Sequence, residues 1–131
     1  MVIDSSAILC ILLGEPEAGD CAQALAGAGR CVMSAFSLLE AALVIAAKKG
    51  PAGGRELDLL VHKARIQVAA LTPEHVELAR TAWLKYGKGR HAAGLNIGDC
   101  CSYALSKYIG ETILFKGNDF SQTDIDGMRL A

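Results

Sequence analysis

"MVIDSSAILCILLG", residues 1–14, opens with a short apolar strand that stops at an acid, Asp4, and continues as a run that turns helical. The pattern of strand, joint and helix recurs outward from here. Glu15, Pro16 and Glu17 open a second helix, with Pro in the first turn and acids at the positive dipole end. It runs through residues 18–29. "RCVMS" (30–34) reads as a strand and "SLLEAALVIAAKK" (37–49) as a helix. "KKGPAGG" (48–54) reads as a breaker, with Lys48 and Lys49 at the C-terminal dipole end. A helix over 55–66, a strand over 67–71 and a helix over 72–87 follow, the last with a Thr72-Pro73 start. "KGRHAAGLNIG" (88–98) is a basic, Gly-rich loop, residues 99–110 a helix, "ETILF" (111–115) a strand and "KGNDF" (116–120) a tight turn. Residues 123–131 fit a strand or an irregular tail equally well.

Strands that alternate with helices predict an α/β domain with a mainly parallel central sheet. The whole chain, residues 1–131, reads as one domain without internal repeats. In such sheets ligands bind outside the carboxyl ends of the strands.

Composition narrows the function classes. The chain is 52% hydrophobic and 21% charged, which argues against disorder. Its apolar runs fall short of the about 20 residues that span a bilayer. The N-terminus lacks a basic segment and carries Asp4, so it does not read as a signal peptide. Five Cys, an odd count with no Cys-x-x-Cys pair, read as reduced thiols in a cytoplasmic protein. The formal net charge is −1, so binding of nucleic acid by bulk charge is excluded. Any such contact must be local or must use a metal.

Four acids stand at comparable joints: Asp4 after the first strand, Glu40 in the helix after "CVM", Asp99 opening a helix, and Asp119 after "TILF". Each has a plain alternative. Asp4 and Asp99 suit helix N-caps, Ser37-x-x-Glu40 suits a capping box, and Asp119 suits a turn. Glu40 fits its alternative least well. It shares a helix face with Phe36, Leu39, Leu43, Val44 and Ala47, a periodicity that predicts a core-facing stripe. A buried carboxylate needs a partner or loses its charge. Taken together, the four acids can converge on one sheet edge. Such a cluster calls for a hard divalent cation, Mg²⁺ or Mn²⁺.

Here the sequence resembles a known family. "MVIDSSAIL" (1–9), an acid within "SLLEAALVI" (37–45), "GLNIGDCCSYALSK" (94–107) and "ILFKGNDF" (113–120) together look like a PIN-domain ribonuclease of the VapC toxin type. The resemblance runs from residue 1 to about residue 120. It implies a PIN-like three-layer sandwich with helices on both sides of the sheet, a carboxylate pocket for Mg²⁺ or Mn²⁺, and endoribonuclease activity. It also implies a cognate VapB-type antitoxin whose tail occupies the pocket, and a homodimer. Asp4, Glu40 and Asp99 stand where the family places its most regular acids. Many relatives read Thr-x-Asp-x-Asp-Phe where this chain reads Phe115 to Phe120, so Gly117 replaces one acid and Asp119 survives.

On this reading Asp4 and Asp99 bind the metal directly. Glu40 holds a metal water or acts as general base, and Asp119 assists. Products carry a 5′-phosphate and a 3′-hydroxyl. Lys85, Lys88, Arg90 and His91, with Lys116, form a basic lip for RNA phosphates. The helix over 36–47 and "AILCILL" (7–13) carry apolar surface suited to a partner. Two rival readings are a DNA flap nuclease and an inactive RNA- or protein-binding domain. A metal-free ribonuclease would fall to His91.

Overall fold

A computed structural model describes residues 1–130, with residues 128–130 described by backbone alone. Ala131, the last residue of the ambiguous tail, lies outside the described residues. The order is β1 (Val2–Ile3), α1 (Ser5–Leu12), α2 (Ala18–Gly27), β2 (Val32–Ser34), α3 (Ala35–Lys49) and α4 (Pro51–Lys63). It continues with β3 (Gln67–Ala69), α5 (Pro73–Tyr86), α6 (Ile97–Ile109), β4 (Ile113–Lys116) and β5 (Gly127–Leu130). The strands form one sheet in the order β3-β2-β1-β4-β5, every pair parallel.

Strand side chains alternate between two cores, as the two-residue period requires. Ile3, Met33 and Leu114 pack with α1 to α4 on one face. Val2, Val32, Ile113 and Phe115 pack with α5 and α6 on the other. This is the expected three-layer sandwich. Burying each large aliphatic side chain contributes about 1.5–3 kcal/mol, so two apolar layers hold even these short strands. Among the described residues no helix is long and apolar enough to cross a membrane.

Three boundaries differ from expectation. Pro16 lies outside α2, which starts at Ala18 with Glu17 as N-cap residue. Helix α6 starts at Ile97, two residues before Asp99. The "KKGPAGG" breaker shrinks to one residue, Gly50, whose φ of 64° closes α3 and opens α4.

Gly53 lies inside α4 for a packing reason. A Cβ there would sit 2.8 Å from both Ile45 Cγ1 and the Ile45 carbonyl oxygen, and 2.9 Å from Lys49 Cβ. The glycine lets α4 press against α3. Gly53→Val should overpack this contact and cost about 1–3 kcal/mol, read as a melting temperature lower by several degrees. An unchanged melting temperature would contradict the packing role.

The stripe expected to face the core on α3 does not. Buried there are Ser37, Ala41 and Ile45, four residues apart. Leu39 and Leu43 are 54% and 63% exposed, and Ala47 is exposed too. The apolar residues of α1, by contrast, are spent largely on the core.

Candidate active site

Four joints of the fold carry the four acids. Asp4 follows β1 and caps α1: its Oδ2 accepts from the Ser6 N–H at 3.1 Å and from Ser6 Oγ at 2.6 Å. Its Oδ1 accepts from Ser102 Oγ of α6 at 2.6 Å. Ser102 Oγ lies 3.1 Å from Ser37 Oγ of α3, and Ser6 Oγ accepts the Lys116 N–H at 3.0 Å. A hydroxyl network thus ties α3, α6, β1, α1 and β4 around one carboxylate. In the sequence only Ser6, a hydroxyl two residues after Asp4, marks this network; its other partners lie up to 110 residues apart.

Asp99 is the third residue of α6, not its N-cap. Asn96 caps the helix, taking the Asp99 N–H on Oδ1 at 2.8 Å. Asp99 Oδ2 returns the bond by accepting the Asn96 N–H at 3.0 Å. Capping and site readings therefore coexist at Asp4 and Asp99, since a capping carboxylate already points out of the helix end.

Glu40 takes no part in a capping box. Ser34 caps α3, accepting the Phe36 N–H at 3.2 Å, while Ser37 is fully buried. The Glu40 carboxylate instead accepts from Ser5 Oγ at 2.6 Å and lies against the backbone of Gly98 in α6. Asp119 is half-buried after β4, and its charge adds to the rise of the Asp99 pKa.

The electrostatics follow from this crowding. Burial pushes the Asp4 carboxyl above its ordinary range, against the bonds from Ser102 and Ser6 that favour its charge. Burial raises Asp99 to about 8, with the charges of Asp4 and Asp119 adding to the rise and the Asn96 N–H opposing it. Among the described residues no ion pair reaches Asp4, Glu40, Asp99 or Asp119. A carboxylate set with no cationic side chain suits a hard divalent cation.

The acids do not draw together into a tight cage. Among the described residues only Cys10, Glu15 and Glu17 place three ligand atoms within 4.8 Å of one another. That group already holds a cation: Lys116 Nζ pairs with Glu15 and, at 3.2 Å, with Glu17. Lys116 is therefore ion-paired at the α1–α2 turn.

The other residues expected in the lip lie on and beside a hydrogen-bonded loop. The Lys88 N–H donates to the Leu95 carbonyl and the Leu95 N–H to the Tyr86 carbonyl, so the loop closes on itself before α6. Lys85 and Lys88 are exposed, with no ion pair among the described residues. Arg90 stacks over Trp83, 4.4 Å from its ring centroid. Trp83 is thus a surface platform and not a core residue. His91 accepts the Ala93 N–H on Nδ1 and sits edge-on to Tyr86. All five Cys are free and buried, and burial pushes Cys100 and Cys101 to about 11, which removes them as nucleophiles near neutral pH.

The PIN domain family matches residues 1–126. Ribonuclease VapC30 of Mycobacterium tuberculosis is 50% identical over 130 residues, covering 99% of each chain. Ribonuclease VapC of Mycolicibacterium smegmatis is 49% identical over 125 residues, covering 95% of this chain and 97% of its own. Among solved structures, Mycobacterium tuberculosis VapC20, described as a sarcin-ricin loop cleaving toxin, superposes with a TM-score of 0.77 at 16% identity over 95% of each chain. A toxin–antitoxin complex from Klebsiella pneumoniae gives 0.71 at 13% identity, over 94% of this chain and 92% of that one. At such identities the structures speak for the fold, and the sequence relatives speak for the family. The chain belongs to the PIN-domain family, within which its curated relatives are VapC ribonucleases.

Proposed function

We propose that this chain is a Mg²⁺-dependent endoribonuclease, the toxin of a toxin–antitoxin pair, built as one PIN domain over residues 1–131. One observation carries the reading: Asp4, Asp99 and Asp119 crowd one another, Glu40 packs against α6 one residue before Asp99, and among the described residues no ion pair reaches any of the four, on a chain half identical to a named ribonuclease.

Asp4 and Asp99 would hold the cation directly, Asp119 would assist, and Mn²⁺ is the natural substitute. When bound, the ion supplies charge neutralisation at the phosphate and lowers the pKa of water. The protein's own groups do the rest. Ser102 and Ser6 fix both oxygens of Asp4 before any ion arrives. Glu40 Oε1 is occupied by Ser5 Oγ, which leaves Oε2 to accept a proton from the attacking water. Lys85, Lys88, Arg90 and His91, at the end of α5 and in the loop that leads into α6, would hold the RNA backbone. Lys85 and Lys88 are the lysines among them, and a lysine-to-alanine change should raise KM more than it lowers kcat.

The partners follow from the family and the surface. The antitoxin is the expected protein partner, its tail entering the acidic pocket. Leu39 and Leu43 of α3, 54% and 63% exposed, would offer apolar surface to a second copy of this chain. Leu43→Glu should convert a dimer to a monomer in light scattering. A wild-type protein already monomeric at micromolar concentration would contradict the dimer.

The direct test is incubation of the antitoxin-free protein with structured RNAs and with a DNA flap, with Mg²⁺ or with chelator. RNA cutting only with Mg²⁺ supports the reading. Preferential cutting of the flap, or no cutting by a folded protein, would favour one of the rival readings.

A further inference from the structure

Gly98 sits one residue before Asp99, at the second position of α6, and is buried. A Cβ there would lie 2.5 Å from Glu40 Oε1, 2.6 Å from Oε2 and 2.8 Å from Cδ. The Glu40 carboxylate therefore lies directly over the position a side chain would take. On its other side Ser5 Oγ donates to Oε1 at 2.6 Å. The carboxylate is clamped between a hydroxyl from α1 and a bare backbone in α6.

We infer that Gly98 and Ser5 are positioning residues for Glu40, and that glycine is required at position 98 for the nuclease reaction and not for the fold. The inference rests on the reading of the acids as the nuclease centre. Its physical basis is the identity of the clashing atoms. All three are the far end of a flexible side chain, and none is backbone. A methyl at position 98 is accommodated when Glu40 rotates away, so the structural cost is small. Alanine is also the better helix former. Gly53 shows the opposite case, because one of the atoms its Cβ would meet is a backbone carbonyl oxygen. The same change of residue type thus has opposite consequences at the two sites.

Rotation of Glu40 breaks its bond to Ser5 and moves its oxygens away from the start of α6. Displacing a group that supports a metal site or its water typically costs about 10- to 100-fold in affinity or rate. Ser5→Ala should act in the same direction by releasing the other side of the clamp.

The experiment compares wild type, Gly98→Ala, Glu40→Gln and the double variant by steady-state RNA cleavage, calorimetric Mn²⁺ titration and thermal melting. In Gly98→Ala, kcat falls at least about tenfold while KM changes less than about twofold. Mn²⁺ affinity falls as well, and the melting temperature is unchanged or higher. In the Glu40→Gln background, Gly98→Ala leaves Mn²⁺ affinity where it was. Wild-type kcat in Gly98→Ala overturns the inference, as does a loss of activity matched by a lower melting temperature. Additive losses of Mn²⁺ affinity in the double variant overturn it too. A wild-type protein that cleaves no RNA, with or without Mg²⁺, defeats the underlying nuclease reading instead.

Discussion

Asp99→Asn lowers RNA cleavage by at least about a hundredfold, because even groups that only support a metal ligand are worth about 10- to 100-fold. The substitution isolates charge from shape. The amide keeps an oxygen able to accept the Asn96 N–H, so the cap that starts α6 survives. What it removes is one negative charge from a site where Asp4 and Asp119 already repel one another's ionised forms. Loss of Mn²⁺ binding by the variant, measured by calorimetry, should accompany loss of cleavage. A variant that retains wild-type cleavage would move the chemistry away from these acids.

The metal-free protein loses stability as pH rises from about 4 to about 8, contrary to the usual behaviour of a paired carboxylate. Asp99 titrates at about 8 in the folded chain against 3.8 for an unperturbed carboxyl. Over that window the folded state binds more protons than the unfolded state, so the slope of unfolding free energy with pH is negative. Asp4, also raised by burial, acts with the same sign. The size is about 1–3 kcal/mol near pH 8, since the neighbouring acids share the protons. Asp99→Asn should flatten this fall and melt several degrees above metal-free wild type at pH 8. Added Mn²⁺ should stabilise wild type more at pH 8 than at pH 6, because binding requires the deprotonated acids. A metal-free melting temperature that rises across the window would contradict the crowding of the acids.

The sheet and the joints were legible because they depend on local pattern. Short apolar strands bounded by acids and helix starts place Asp4, Asp99 and Asp119 at one edge without knowledge of any long-range contact. Helix α3 departs from its sequence pattern in a specific way. Its leucines suggested the core, yet the buried face is Ser37, Ala41 and Ile45. A buried serine costs little once Ser102 bonds to it, and small residues let α3 approach the layer beneath. Glu40 consequently faces Ser5 and Gly98, a pairing that joins residues 35 and 58 positions apart and leaves no periodic trace. Gly53 and Gly98 illustrate the same limit, since a glycine kept for close approach looks in sequence like a break. Lys116 pairs with Glu15 and Glu17 through the α1–α2 turn, a contact that no local pattern marks.

The most direct test of the central claim is the chemistry of the fragment ends left by the Mg²⁺-loaded protein on a single defined RNA. Attack by water held at the acids predicts a 5′-phosphate and a 3′-hydroxyl at every cut. Fragments with a 5′-hydroxyl and a 2′,3′-cyclic phosphate would mean attack by the RNA's own 2′-hydroxyl. That result would contradict the account and shift the chemistry to a metal-free centre such as His91.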